Sequence, residues 1–262
     1  MKKKLINTDK WPTVLLVGVG LILWQLLVSF EFVEAYVLPA PSQIIIQLLN
    51  EREILWQHLL VTLQEAGIGF LLAIALAFVL NLLMELLPVV KKALYPILIM
   101  SQTIPIIVLA PLFGLWFGFG IFPKIIIVVL VCFFPIVVSL SDATASVDED
   151  LIHLVESMGA SAFQTYRYIK VPYALQGMFS GLKIAATYAI MGAVIGEWLG
   201  GSRGIGVYML RVRHSFQLDK MFAAIVLIVI LSMGLFKGID LLQKFIMPWN
   251  NLKEEINEEI HE

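Results

Sequence analysis

Six long apolar segments constrain the fold of this chain more than any other feature of its sequence. A helix needs about 20 predominantly apolar residues to cross the hydrocarbon core of a bilayer. The segments that meet this requirement are residues 12–30, 61–87, 94–118, 121–141, 178–199 and 221–247. Because 60% of the residues are hydrophobic and only 15% are charged, the sequence predicts an all-α membrane protein with six transmembrane helices, not a soluble globular protein.

We expect residues 1–262 to form a single transmembrane domain. In this interpretation the first span, residues 12–30, precedes a core region of residues 57–247. A polar loop at residues 142–177 separates the fourth span from the fifth, and an acidic tail follows at residues 248–262.

The basic residues predict which side of the cell membrane each loop faces. Lysines at positions 2, 3, 4 and 10 place the N-terminus in the cytoplasm by the positive-inside rule. Six crossings then put the 142–177 loop and the C-terminal tail in the cytoplasm as well. Four basic residues fall in an outer loop against the rule, although late loops constrain orientation less than the first: Arg203, Arg211, Arg213 and Lys220.

The 142–177 loop has the apolar spacing of two short amphipathic helices. The apolar positions are Leu151, Leu154, Val155 and Met158 before Gly159, and Phe163, Tyr166 and Ile169 after it. Gly159 is expected to end the first helix, because glycine adopts the left-handed conformation of a helix C-cap without steric cost. Pro172 is expected to end the second, because it pushes Val171 toward extended geometry. The sequence thus predicts a helix–turn–helix at the membrane surface.

This stretch resembles the cytoplasmic EAA loop of the permeases of binding-protein-dependent ABC transporters. The family pattern is Glu-Ala-Ala, three residues, Gly, nine residues and Ile-x-Leu-Pro. Here nine residues separate Gly159 from Ile-Lys-Val-Pro at 169–172, while His-Leu-Val at 153–155 replaces Glu-Ala-Ala. Other segments are similar to permeases of the nitrate/sulfonate/taurine and thiamine-pyrimidine type: Leu-Pro-Ala-Pro-Ser at 38–42, Ala-Pro-Leu-Phe at 110–113 and Glu-Trp-Leu-Gly at 197–200.

The resemblance implies the ABC type I importer permease fold, with a coupling loop between spans four and five. It implies import of a small solute by alternating access, driven by a separate cytoplasmic ABC ATPase dimer. It also implies an extracytoplasmic substrate-binding protein and a second permease copy, most simply in a homodimer. The favoured solute is a pyrimidine precursor of thiamine or a related heterocycle, with sulfonate, taurine and nitrate left open. The residues expected to couple the loop to the ATPase are His153, Glu156, Ser157, Gly159, Ala160, Ser161 and Pro172.

Polar residues beside a proline interrupt the third apolar segment. Gln102 and Thr103 lie just before Pro105, at a depth where broken helices are tolerated if they line a cavity or pack on protein. Two interpretations stay open: Gln102 and Thr103 line the solute pathway, or they form hydrogen bonds that hold the helices together.

Acidic residues and glycines give further expectations. Glu197 should face protein, water or a cation, with Arg203 as a candidate partner, in an interfacial role or in the substrate pathway. Glu65 and Glu85 are expected at the two solvated ends of the second span. Glycines at four-residue spacing, among them Gly192 and Gly196, predict close helix packing, on this chain or on a second copy.

Two segments on the outer side are expected to differ in structure: one forms a helix and the other a mobile turn. Residues 44–60 are expected to form one interfacial helix capped by Ser42. The glycine-rich stretch 200–206 lacks the Lys-Ser/Thr of a phosphate-binding loop, and we interpret it as a mobile external turn.

The sequence contains no nucleotide-binding loop, metal-ligand cluster or nucleophile–base constellation. We therefore expect no enzymatic activity and no cofactor, and the net charge of −2 argues against nucleic acid as a partner. The alternative is a secondary transporter driven by an ion gradient. It would need paired intramembrane ionisable residues or an inverted repeat, and neither is apparent in the sequence.

Overall fold

The computed structural model describes residues 11–34 and 36–248, and these ranges contain no strand. The helices are α1 (Trp11–Ser29), α2 (Pro41–Asn50), α3 (Arg52–Leu86), α4 (Pro88–Ser101), α5 (Ile106–Phe117), α6 (Ile121–Ala145), α7 (Glu149–Ser157), α8 (Ala162–Thr165), α9 (Val171–Glu197), α10 (Ile205–His214) and α11 (Leu218–Ile246). A π-helical turn, Tyr166–Lys170, joins α8 to α9. The N-terminal lysines that predict the orientation and the acidic tail from residue 249 onward lie outside the described residues.

Five helical segments are long and apolar enough to cross a membrane: α1, α3, α6, Ala162–Glu197 and α11. The predicted third span, residues 94–118, is not one helix but the pair α4 and α5, bent by 100°. Pro105 explains the break, because it holds Ile104 away from helical geometry and itself adopts an extended conformation at the start of α5.

Contacts at both ends show that α3 and α6 run in the same direction. Glu65 in the first half of α3 pairs with Lys124 at the start of α6. Near the ends of the same two helices, the Thr144 hydroxyl donates to the Glu85 carboxylate at 3.4 Å. Parallel spans need an odd number of crossings between them, so the bent pair α4–α5 must cross the membrane. The chain therefore crosses six times, as the sequence predicts.

The six crossings divide the molecule into two ends. We call the end that carries α7 and α8 the loop face, and the other end the far face. The far face holds the junction of α2 with α11, where Gln47 donates to Asp219 at 2.7 Å and Lys220 pairs with Glu51 at 2.6 Å. The start of α1 and the end of α11 consequently both lie at the loop face.

The centre of the fold is α6, which packs between α3 and α9, while α11 packs on α9. Glycines on α9 permit this approach. A methyl group at Gly192 would lie 3.3 Å from the Val128 Cα, and one at Gly196 would lie 3.0 Å from the Lys124 Cα. The small-residue face of α9 thus packs on a helix of the same chain, which answers a question that the sequence leaves open.

The second loop helix does not end at Pro172, contrary to the prediction. Pro172 lies in the first turn of α9, directly after the π-helical turn. Proline lacks an amide hydrogen and its ring crowds the carbonyl four residues earlier. A wider π turn relieves that crowding, as π-bulges do inside helices. The helix therefore continues from Ala162 to Glu197.

The predicted interfacial helix at residues 44–60 is also wrong, because α2 ends at Asn50 and α3 begins at Arg52. Its cap is Ala40, not Ser42, with Pro41 in the first helical turn. The Gln43 side chain accepts a hydrogen bond from the Ala40 amide at 3.0 Å, which satisfies that donor.

Candidate functional site

The turn between α7 and α8 projects from the loop face and has well-defined caps. The Asp148 carboxylate accepts the Asp150 amide at 2.9 Å at the start of α7. The Ser161 hydroxyl and the Gln164 side chain form a capping box at the start of α8. Between them Gly159 has a φ of +92°, the left-handed region in which glycine is favoured. The predicted turn at Gly159 is thus present.

The predicted coupling residues fall into two places. His153, Glu156, Ser157, Gly159 and Ser161 are exposed on α7 and the turn, and Ala160 is half-buried beside them. The structure thus brings six of the seven together on one projecting surface. Pro172 is exposed elsewhere, at the start of α9, where it borders a cavity between α6 and α9.

Large apolar side chains surround the same turn without being covered by the rest of the described chain. Leu154 is 59% exposed, Met158 80% and Phe163 50%. Exposed apolar groups of this size on a polar projection are typical of a protein–protein contact surface.

A buried polar chain ties the projecting segment to the membrane helices. The Tyr166 hydroxyl in the π-helical turn donates to the Asn81 side chain on α3 at 2.9 Å. Asn81 in turn donates to the Ser141 hydroxyl on α6 at 3.1 Å. Asn81 and Ser141 are buried, so each needs these partners, because an unpaired polar group away from water is costly.

Glu85 forms a second connection between the projecting segment, which contains α7, α8 and the π-helical turn, and the membrane helices. It forms ion pairs with Lys170, in the π-helical turn, and with Lys91 on α4 at 2.6 Å. The Glu85 side chain is only 4% exposed, so the expectation that it is solvated at the end of the second span is wrong. One carboxylate therefore connects the projecting segment with α3 and with the first half of the broken span.

Gln102 lies at the break between α4 and α5 and borders a cavity of about 340 Å³. Thr103 is exposed in the same break, and its hydroxyl donates to the Met100 carbonyl at 2.7 Å. The cavity lies between α5, α6 and α9, with Phe134 and Tyr188 among its lining side chains.

Glu197 is not among the residues that line this cavity. It is fully buried at the end of α9, where Thr62 donates to its carboxylate at 2.6 Å and the Gly206 amide donates to the other oxygen. Among the residues described, Arg203 forms no ion pair with it, contrary to the expectation. Glu197 instead binds the N-terminal end of α10, where the helix dipole favours a negative charge.

The glycine-rich stretch 200–206 is not a free external turn, because its end is held by buried side chains. The Gly204 amide donates to the His58 Nδ1 at 3.0 Å, and the Ile205 amide donates to the Thr62 hydroxyl at 2.9 Å. Gly204 has a φ of +128°, and a methyl group there would overlap the Glu197 carboxylate. Burial raises the pKa of Tyr208, on α10 beside His58, to about 12, so its hydroxyl stays neutral.

Glu65 and Lys124 form an ion pair that the sequence does not reveal. Their atoms lie 2.9 Å apart, and both side chains are almost completely buried. The expectation that Glu65 is solvated at the membrane interface is therefore wrong. A buried pair of ionisable groups does exist between two helices that are long and apolar enough to cross the membrane, α3 and α6. This finding removes one of the two sequence arguments against an ion-driven transporter. Residues 11–34 and 36–248 contain no group of three His, Cys, Asp or Glu that could hold a metal ion.

Comparison with known proteins gives one consistent answer. The family model described as "Binding-protein-dependent transport system inner membrane component" matches residues 69–250. A "Probable ABC transporter permease protein" of Haemophilus influenzae is 37% identical over 88% of this chain and 95% of the relative. The "Formylaminopyrimidine transport permease protein ThiX" of Halalkalibacterium halodurans is 37% identical over 87% of this chain and 92% of its own length. The "Riboflavin transport system permease protein RibX" of Chloroflexus aurantiacus is 32% identical over 87% of this chain and 86% of its own length.

Proposed function

From the premise that this chain belongs to the family of binding-protein-dependent transport system inner membrane components, we propose that its α7–α8 turn receives the force that drives transport. The chain is a multi-pass permease subunit of an ATP-driven ABC importer, and its family implies an ATPase and a substrate-binding protein as partners. The coupling surface is made of His153, Glu156, Ser157, Gly159, Ala160 and Ser161.

The observation that carries this proposal is the uninterrupted helix behind the turn. The segment Ala162–Glu197 runs from the projecting surface through the whole bundle to the far face. A displacement of the turn therefore acts on a single lever, of which Pro172 forms part near the loop face. Tyr166 and Lys170 connect the base of that lever to α3 and, through Glu85, to α4.

The proposed mechanism is alternating access. When the ATPase dimer closes on ATP, it moves the docked turn, and the lever tilts α9 against α6. Because Glu85 bridges α9 with α3 and α4, the break at Gln102 and Thr103 moves with it. We place these two residues on the solute pathway, and we assign Glu197 to a rigid clasp that holds α10 at the far face.

The assembly is proposed from the family and from the shape of a single chain. Residues 1–262 form one transmembrane domain, and two copies, most simply a homodimer in the cell membrane, enclose the pathway between them. The loop face and both termini lie in the cytoplasm, and the binding protein delivers solute to the far face. The chain itself catalyses no reaction.

The proposed solute is a nitrogen heterocycle such as formylaminopyrimidine. This choice is supported by two of the relatives, which are named as transport permeases for formylaminopyrimidine and riboflavin. Sulfonate, taurine and nitrate are the competing solutes.

Affinity purification from native membranes tests the coupling surface. We expect the detergent-solubilised complex to retain an ABC ATPase, and the double variant Ala160→Glu, Ser161→Glu to lose it while remaining folded. Ser215→Glu is the control, because Ser215 is exposed like Ser161 but follows α10 at the far face. Normal recovery of the ATPase with the double variant would show that the turn is not the docking site.

A further inference from the structure

Two cavities lie along one groove between α6 and α9. The first, of about 340 Å³, borders the break of the third span, and the second, of about 820 Å³, opens at the loop face. On α6 the residues that border them are Val131 and Pro135, then Ser139, Asp142 and Ser146. Steps of three and four residues keep these positions on one side of a helix.

The positions on α9 follow the same rule. Met191 and Tyr188 border the first cavity, and Ser180, Gly177 and Tyr173 border the second. Between the two sets lies Ile184, which is exposed on the same side. The two cavities are therefore successive parts of one groove that leads from the middle of the membrane to the loop face.

The chemistry of the groove changes along its length. The membrane part is mostly apolar and aromatic, with Phe134 and Tyr188 and the amide of Gln102. The part at the loop face is lined by polar groups, including Ser139, Ser180 and Gln176. Asp142 is the one charged side chain among the lining residues described, and it accepts a hydrogen bond from the Tyr95 hydroxyl at 2.7 Å.

We propose that this α6–α9 groove is the inner half of the solute pathway and that it binds an uncharged or weakly basic planar nitrogen heterocycle, not an anion. The inference rests on the proposed function and adds the location and the chemical class of the solute. Aromatic faces and an amide suit a flat ring with hydrogen-bonding nitrogens. The carboxylate at the exit attracts an amino group and repels sulfonate or nitrate.

The charges that line the groove favour a neutral or weakly basic heterocycle over an anion. The groove offers an anion no Lys or Arg among its described lining residues. Within residues 11–34 and 36–248, the positive potential at the membrane part of the groove comes from the N-terminal end of α5, equivalent to about half an elementary charge. That partial charge does not offset the desolvation of a full anion in an apolar cavity, but it suits the ring nitrogen or carbonyl of a neutral solute.

The polar end of the groove also argues against its other candidate occupants. A lipid chain would leave the side chains of Ser139 and Gln176 without partners in an apolar contact, whereas the Ser180 hydroxyl already donates to the Gln176 carbonyl at 3.1 Å. A second copy packed into the groove would have to bury Asp142. A pathway filled by water and solute gives Ser139 and Gln176 partners and keeps Asp142 solvated.

Single cysteines in the assembled transporter test the proposal. Met191→Cys and Ser180→Cys lie in the two parts of the groove, and Met233→Cys on α11 is the matched control, exposed at membrane depth but outside it. The native Cys132 is fully buried and serves as the background. Each variant is reconstituted with its ATPase and treated with a small water-soluble thiol reagent, with formylaminopyrimidine or ethanesulfonate present.

We expect both groove cysteines to react about tenfold faster than Met233→Cys, a difference equivalent to about 1.4 kcal/mol in activation free energy. Formylaminopyrimidine should protect them and the anion ethanesulfonate should not. Protection by ethanesulfonate alone, or by neither solute, would overturn the assigned class or the site. Reactivity equal to that of Met233→Cys would show that the groove is covered by lipid or by the second copy.

The two groove positions are independent, so a variant that fails to assemble leaves the other to decide. ATP-driven uptake by the unaltered transporter is measured in parallel. If uptake is present and the groove cysteines are unprotected, this inference fails while the proposed function stands. If ATP drives no uptake of any of the solutes, the proposed function itself fails.

Discussion

At the scale of single residues, the pair Glu65–Lys124 is expected to contribute to stability, because both side chains are almost completely buried. Two charges buried at membrane depth offset each other only while both are present. The second carboxylate oxygen of Glu65 has no hydrogen-bond partner among the described residues, so Lys124 is its main compensation. Removal of either partner leaves the other as a buried charge without this ion pair.

We predict that Lys124→Met destabilises the folded protein by about 3–5 kcal/mol, because Glu65 then stays buried without a counter-charge. Thermal unfolding in detergent measures the loss. Lys237→Met is the matched control, since Lys237 is exposed on α11, and its effect should stay within about 0.5 kcal/mol.

The double variant Glu65→Leu, Lys124→Met should recover most of the stability, because an apolar pair of similar size removes both charges together. Equal losses for Lys124→Met and Lys237→Met would show that the pair contributes nothing.

The sequence could not predict which charged side chains pair with each other in the fold. Glu65 and Lys124 are 59 positions apart, and no local pattern relates them. The buried setting of Glu85 has the same origin, because Lys170 approaches it only when α9 packs beside α3. Gly159 could be predicted, since a positive φ at a helix end is a local property of the chain.

At the scale of helices, apolar length predicted five spans well and the third one poorly. The sequence stays apolar on both sides of residues 102–105, so length alone cannot show that the helix bends there. Prolines can mark such a bend, but not every proline does. Pro105 lies at a break between two helices, whereas Pro172 is accommodated in the first turn of α9. What separates them is the π-helical turn before Pro172, which depends on packing against α3.

We predict that Glu85→Gln uncouples the transporter without unfolding it. A neutral amide cannot hold the two ammonium groups of Lys91 and Lys170, so movement of the π-helical turn no longer reaches α4. Reconstituted transporter should keep its ATP hydrolysis, while solute uptake falls by about tenfold, equivalent to about 1.4 kcal/mol of lost coupling.

Glu149→Gln is the control for this prediction, because Glu149 is an exposed acid in the first turn of α7 and bridges no elements. Its uptake should match that of the unaltered transporter. If Glu85→Gln lowers ATP hydrolysis and uptake in the same proportion, Glu85 supports assembly with the ATPase and not the transmission of movement.

At the scale of the whole molecule, internal contacts fix which elements share a face of the membrane. Glu85 and Lys170 bring the end of α3 to the loop face, and Thr62, Glu197 and α10 meet at the far face. These contacts require that the bent pair crosses the membrane. Which of the two faces is cytoplasmic stays a prediction of the positive-inside rule, made from lysines that the structure does not describe, and four basic side chains at the far face oppose it.

The sides of the membrane can therefore be tested with two matched cysteines. Ser146 and Ser215 are both exposed serines at the C-terminal caps of helices, α6 at the loop face and α10 at the far face. We predict that a membrane-impermeant thiol reagent modifies Ser215→Cys in intact cells and Ser146→Cys only in inside-out vesicles. Modification of both from the same side would mean that α9 does not cross the membrane. Modification of Ser146→Cys in intact cells and of Ser215→Cys only in inside-out vesicles would mean that the loop face is not cytoplasmic.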